Sequence, residues 1–286
     1  MKNWLMPFAV AISLLGVAFF LAACGNQDAP IVSSESPQQG LSAVAIQTGN
    51  GSNLAGDAGA TNPRAVVATK TVNFSGHDWA LKVSSGKVGP GPNLFSDSPQ
   101  NIWVDSLKRL HLRITKQKGR WYCAEVVSVE SFSYGTYRFY LDSPVDAPDP
   151  NVVLGLFTWN DDTSYNHREI DIEFSRWGSA NNQNAQYVVQ PYTLPQNILR
   201  FQEPSGLNQS THSFLWKSDA VSFKSLKGLN ATAPDSSYII KQWVFTGTVP
   251  QAGGENARMN LWLFRGRPPT NGQEAEIIVN KFEIVH

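Results

Sequence analysis

Helical periodicity is missing from this chain: no long stretch repeats apolar residues at helical spacing, and no segment repeats another. That sets aside helical bundles and helical solenoids. Charge is scarce as well. Asp, Glu, Lys and Arg make up 16% of the residues and the formal net charge is zero. A neutral chain has no electrostatic reason to bind nucleic acid or an anionic surface, and an uncharged substrate suits it better. Cysteine is almost absent, with Cys24 and Cys123 alone. Cys123 has no Cys or His neighbour at metal-ligand spacing, so it reads as a buried structural thiol and not as a nucleophile.

The N-terminus is built differently from the rest. Lys2 precedes an apolar run from about Leu5 to Leu21, and small residues follow it. A positive start, an apolar stretch and small residues make a secretion signal. The run is also nearly long enough for an uncleaved membrane anchor. Leu21-Ala22-Ala23-Cys24 resembles a bacterial lipobox. The resemblance implies that residues 1–23 are removed and that Cys24 carries lipid, holding the protein to the cell envelope at the outer membrane or cell surface. Cys123 would then have no partner for an internal disulfide. Residues 24–68 are rich in Gly, Ser, Asn, Gln, Ala and Pro and too polar to bury a core, so they read as a flexible tether.

From residue 69 to 286 the chain reads as strands. TKTVNF, RLHLRIT, RWYCAEVVSV, GTYRFYL, NVVLGLF, REIDIEFS, AQYVVQPY and MNLWLF are short runs of β-branched and aromatic residues, separated by turns such as GKVGPGPN and DSPVDAPDPN. Many short strands at regular spacing predict one all-β sandwich.

One of these strands departs from the scarcity of charge. Glu169, Asp171 and Glu173 alternate with Ile170, Ile172 and Phe174. Strand alternation puts the acids on one face and the apolar residues on the other. The glutamate Cα atoms lie roughly 13 to 14 Å apart at about 3.4 Å per residue. Both side chains can lean inward to the ~5 to 5.5 Å separation that a retaining glycosidase uses. Carboxylates this close cannot all ionise, so at least one pKa must rise. An exposed edge strand and a calcium site, with carboxylates as hard-cation ligands, fit the alternation too. Three like charges on one flat face, however, repel.

EIDIEF resembles the active-site strand of glycoside hydrolase family 16, in the form without an inserted residue that lichenases and xyloglucan transglycosylases carry. WYCAEVVSVESFSYGTYRFYL, VVLGLFTWND, STHSFLWKSDAVSF and MNLW resemble the family's flanking segments in order, so the resemblance covers about residues 70 to 286. It implies a β-jelly roll with a cleft on its concave sheet and a retaining endo-glycosidase acting on a β-linked polysaccharide. Glu169 would be the nucleophile, Asp171 the assisting acid and Glu173 the acid/base. It implies no metal or organic cofactor for the chemistry and leaves room for a structural calcium ion. A monomer is the default for a tethered hydrolase. Glu125 and Asn260 fall where the family places polar ligands to sugar hydroxyls. Tyr134, Trp159, Trp216 and Trp262 flank matched motifs and are the expected sugar platforms, since sugar rings offer apolar faces to aromatics. His212 is expected to orient a cleft carboxylate or a sugar hydroxyl. Val126, Val127, Val188 and Val189 depart from the lichenase pattern at substrate-binding positions, which leaves the sugar and linkage open. A transglycosylase, an enzyme remodelling the cell's own exopolysaccharide and a non-catalytic carbohydrate-binding lipoprotein are the alternatives.

Overall fold

The computed structural model describes residues 70–286. The signal segment, Cys24 and the tether lie outside the described residues. Within them there is no α-helix, only four short 3-10 turns between sixteen strands. The strands form two antiparallel sheets, numbered here in chain order. The first sheet runs β1 (Thr71–Phe74), β2 (His77–Leu81), β6 (Ala124–Ser131), β15 (Asn256–Leu263), β8 (Val152–Trp159), β9 (Ile170–Phe174), β10 (Ala185–Val189) and β11 (Ile198–Phe201). The second runs β14 (Ile239–Phe245), β13 (Val221–Lys227), β12 (Ser210–Trp216), β7 (Gly135–Leu141), β16 (Ala275–Val285), β4 (Leu110–Gln117) and β3 (Ile102–Val104), with β5 (Arg120–Tyr122) paired to β4.

Alternation decides what each strand buries. On β9, Ile170, Ile172 and Phe174 enter the core. On β15, Ala257, Met259 and Leu261 do so, which turns Arg258, Asn260 and Trp262 to the outer face. The second sheet answers with aromatics. Tyr137 of β7 stacks on Phe214 of β12 at 4.8 Å, and Phe139 meets Phe282 of β16 at 5.2 Å. Each such ring contributes about 1.5 to 3 kcal/mol by leaving water. Tyr187 is also spent on this core.

The segment RWYCAEVVSV, which reads as one strand, is two. β5 pairs with β4, and β6 enters the first sheet between β2 and β15. Cys123 sits at the break, fully buried and without a disulfide partner among the described residues. Burial pushes its thiol up to about 12.

Candidate active site

The outer face of the first sheet carries the acid row. Glu173 pairs across the sheet with Gly155 of β8 and Gln186 of β10, and Asp171 pairs with Phe157 and Val188. Glu169 lies one residue before β9, in extended conformation, and so stays in phase with the other two acids. Its approach is unusual. Tyr165, Asn166, His167 and Arg168 all have positive φ, at 54°, 52°, 63° and 54°. Left-handed backbone costs a non-glycine residue about 1 to 2 kcal/mol. Hydrogen bonds to the end of β8 hold the turn. Asn160 N donates to His167 O at 2.7 Å, and Thr158 Oγ1 donates to Arg168 O at 2.8 Å while accepting from Ile170 N at 3.2 Å.

Although it faces away from the core, this surface is recessed. Asp171 is 4% exposed, and Gln186, Asn260 and Arg258 are buried. Burial therefore dominates the electrostatics. It pushes Glu169 up to about 8, with the Glu173 charge adding to the rise. Asp171 is held well above the carboxylate range by burial and by both glutamates. Glu173 is raised by burial, against the hydrogen bond from Gln186 and the charge of Arg200. Asp171, beside Glu169, acts to lower the Glu169 pKa while Glu169 raises that of Asp171, which favours a Glu169 anion and a proton on Asp171. Two amides fix the row from β10. Gln186 Nε2 donates to Glu173 Oε2 at 2.6 Å, and Gln190 Nε2 donates to Asp171 Oδ2 at 3.1 Å. Arg200 Nε donates to Gln186 Oε1 at 3.2 Å, which settles the amide's orientation.

A second polar cluster lies across β15. Glu125 of β6 is 1% exposed and accepts from Lys82 Nζ at 2.8 Å, from Arg258 Nη1 at 3.4 Å and from Asn260 Nδ2 at 3.4 Å. Burial lowers the Lys82 pKa against the pull of Glu125. Between this cluster and the acids stands Gly155. A Cβ there would lie 2.5 Å from Asn260 Oδ1, an oxygen that is buried without a partner. Glycine at 155 therefore leaves the space that the Asn260 amide occupies. At the end of β8, Trp159 donates from Nε1 to Asp161 at 3.1 Å and stacks on His167 at 4.0 Å.

The structure thus brings Glu169, Asp171, Glu173, Glu125, Trp159, Asn260 and Trp262 onto one sheet face. It does not bring Tyr134, His212 or Trp216 there, which corrects the sequence-based expectation. β12 belongs to the second sheet, and its inward residues face the core. Trp216 is fully buried, with Nε1 donating to Pro250 O at 3.0 Å, and Tyr134 packs edge-on against it at 5.2 Å. His212 is fully buried between Ser225 Oγ at 2.7 Å and Ser210 Oγ at 2.8 Å, with its ring 4.6 Å from Phe174. It lies under the acid strand on the core side, and burial drives its pKa down to about 3. Sequence reasoning also passed over Lys82, Gln186, Gln190, Arg200 and Arg258. The signal was there for three of them. Gln186 and Gln190 alternate in AQYVVQPY, and Arg258 precedes Asn260 by two.

Two antiparallel sheets with this topology are a β-jelly roll, and the solved structures similar to it include glucanases. A β-glucanase of Bacillus licheniformis is 18% identical with a TM-score of 0.53, covering 75% of this chain and 94% of that one. A β-1,3-1,4-glucanase (lichenase) from a mouse hindgut metagenome is 17% identical with a TM-score of 0.51, covering 72% and 92%. An immunostimulatory antigen and pseudo β-1,3-glucanase of Mycobacterium tuberculosis is 18% identical with a TM-score of 0.51, covering 73% and 91%. No protein-family model and no curated protein sequence matches the chain. At these identities the likeness establishes the fold.

Proposed function

We propose that the chain is a retaining endo-glycosidase that hydrolyses a β-linked, glucan-like polysaccharide, with glycoside hydrolase family 16 as its family. The observation that carries this reading is the row of three recessed carboxylates on an outer sheet face, each with its pKa raised. Glu169 attacks the anomeric carbon while Glu173 gives its proton to the departing glycosidic oxygen. The bond to that oxygen breaks, its electron pair stays with the leaving sugar, and a glycosyl ester forms on Glu169. Glu173, now a base, takes a proton from water. The water oxygen attacks the same carbon, and Glu169 leaves as a carboxylate.

Two features of the row favour the protonation states needed for this, against the burial that raises Glu169. Repulsion from Glu173 is the second cause of the rise at Glu169. Once Glu173 holds a proton that repulsion is gone, and Asp171 and Arg258 both favour a Glu169 anion. Glu125, Asn260, Trp159 and Trp262 are the sugar-binding residues in this reading, and Cys24 carries the lipid that keeps the enzyme at the cell envelope.

The test uses the purified protein and Glu169→Gln on β-glucans, xyloglucan, galactans and bacterial exopolysaccharides. Reducing ends released by the wild type alone, with retained anomeric configuration, are expected. An inverted product, or equal release by the variant, would overturn the mechanism. Redistributed product sizes without new reducing ends would make the protein a transglycosylase. Binding without any cleavage would make it a carbohydrate-binding protein.

A further inference from the structure

The chain is neutral overall, yet among the described residues its recessed face holds one cation, Arg200, with no direct ion-pair partner. Arg200 on β11 projects on the same face as Gln186 and Glu173, its register partners across β10 and β9. Its Nε donates to Gln186 Oε1. Its two Nη nitrogens make no hydrogen bond among the described residues and are not closed off from solvent. It forms no ion pair there, and the charge that acts on it is Glu173, through the intervening amide. The ring of Trp177 lies 5.0 Å from the guanidinium, which limits its freedom. The other two cations of this face are already taken, since Lys82 and Arg258 both close on Glu125. Among the described residues of this face, Arg200 alone keeps a planar pair of N–H donors free, and that fork matches the oxygens of a carboxylate or sulfate.

We propose that Arg200 determines specificity, and that the substrate is a β-linked polysaccharide with an anionic substituent, carboxylate or ester sulfate, on a sugar beside the scissile bond. This rests on the reading of the face as a glycan cleft and narrows it. β11 lies two strands from the acid row, roughly 10 Å at 4.7 to 4.9 Å per strand. That is the span of one or two sugar units, so the substituent sits on a sugar close to the bond being cut. A partly desolvated guanidinium holds an anion there strongly, and a neutral polymer leaves it without a counter-charge.

The experiment measures calorimetric binding of unmodified, carboxymethylated and sulfated mixed-linkage glucan oligosaccharides. The binding protein is the Glu169→Gln form, alone and combined with Arg200→Gln or Arg200→Lys, at two ionic strengths. Melting curves confirm that each variant is folded. A charged hydrogen bond of this kind predicts about tenfold or greater preference for an anionic form over the neutral one. The preference should weaken with salt, fall to about unity in Arg200→Gln and partly survive in Arg200→Lys. The better of the two anionic forms names the substituent. Equal binding of charged and neutral forms by the parent, no binding of either charged form, or a preference that survives Arg200→Gln overturns the proposal. So does an Arg200→Gln variant with Glu169 intact that lowers kcat equally on every polymer while the binding preference survives in the Glu169→Gln pair, because Arg200 would then act only by positioning Gln186. Cleavage of the same polymers by the wild type is scored separately. Anion preference without cleavage would sink the hydrolase reading and leave this one standing.

Discussion

Glu169→Gln should make the protein inactive and more stable, and the gain in stability should depend on pH. The folded-state pKa of Glu169 stands at about 8 against an ordinary value of 4.5. Between those values the folded protein binds more protons than the unfolded chain, so stability falls as pH climbs through that window and is unaffected below it. At pH 7 the accumulated cost is roughly 3 kcal/mol, from about 1.4 kcal/mol per pH unit over about 2.5 units. The neutral amide removes that cost. Part of the gain is lost because Asp171 and Glu173 share protons with Glu169, which leaves about 1 to 3 kcal/mol. For a domain of this size each kcal/mol moves the melting temperature by about 2 to 4 °C, so the variant should melt about 2 to 12 °C higher at pH 7. Melting curves at pH 4, 5.5, 7 and 8.5 make the measurement. The two proteins should coincide at pH 4 and diverge with rising pH. Glu203 titrates in the same range in both, so the difference between the curves isolates the acid row. A variant less stable at pH 7, or a difference that is flat with pH, would refute the reasoning.

Gly155→Ala places a methyl 2.5 Å from Asn260 Oδ1, so the amide must move; kcat/KM should fall and stability should drop by about 1 to 3 kcal/mol, read by kinetics and chemical denaturation. Glu203 is fully buried with both carboxylate oxygens unpartnered, and burial and Asp146 push its pKa up to about 8. Its folded value also lies above the unfolded one, so Glu203→Gln should stabilise at pH 8 and leave stability at pH 4 unchanged. Lys82→Met leaves the Glu125 carboxylate, at 1% exposure, with only the longer contacts from Arg258 and Asn260 and should cost about 1 to 3 kcal/mol, as denaturant titration would show. The Cys123 thiol should resist alkylation at pH 8 in the native protein and react at the rate of global unfolding, as peptide mass mapping would show.

Period-two alternation exposed the β9 row and its Ile170, Ile172 and Phe174 backing at once, because one strand carries both faces. It also holds for Glu125, Asn260 and Trp262, whose strands lie in the same sheet as the acids. It failed where the face of a strand depends on which sheet the strand joins. Phe214 and Trp216 alternate as well as any residues in the chain, but β12 belongs to the second sheet, so His212 points at the underside of β9. No local pattern distinguishes a histidine above the sheet from one below it. Arg200 was missed for a related reason. ILRF has no feature of its own, and Arg200 gains meaning only when β11 pairs with β10 and sets it beside Gln186. The break at Cys123 was hidden because Trp121, Tyr122, Ala124 and Val126 keep strand-like composition across it.

A raised carboxylate pKa does not identify a working acid in this fold. Glu203 stands as high as Glu169, yet no side chain donates to either of its oxygens. The acid row differs in the company it keeps. Gln186 and Gln190 each aim an amide at one carboxylate, Arg200 orients the first amide, and the left-handed turn at 165–168 delivers Glu169 in register at a conformational cost. A stable sandwich needs none of these, and an apolar residue at each acid position would be cheaper. Strain, like-charge repulsion and oriented donors converge on one strand, and folding alone gives no reason for them to do so. That convergence separates the row from a buried carboxylate that the fold merely tolerates.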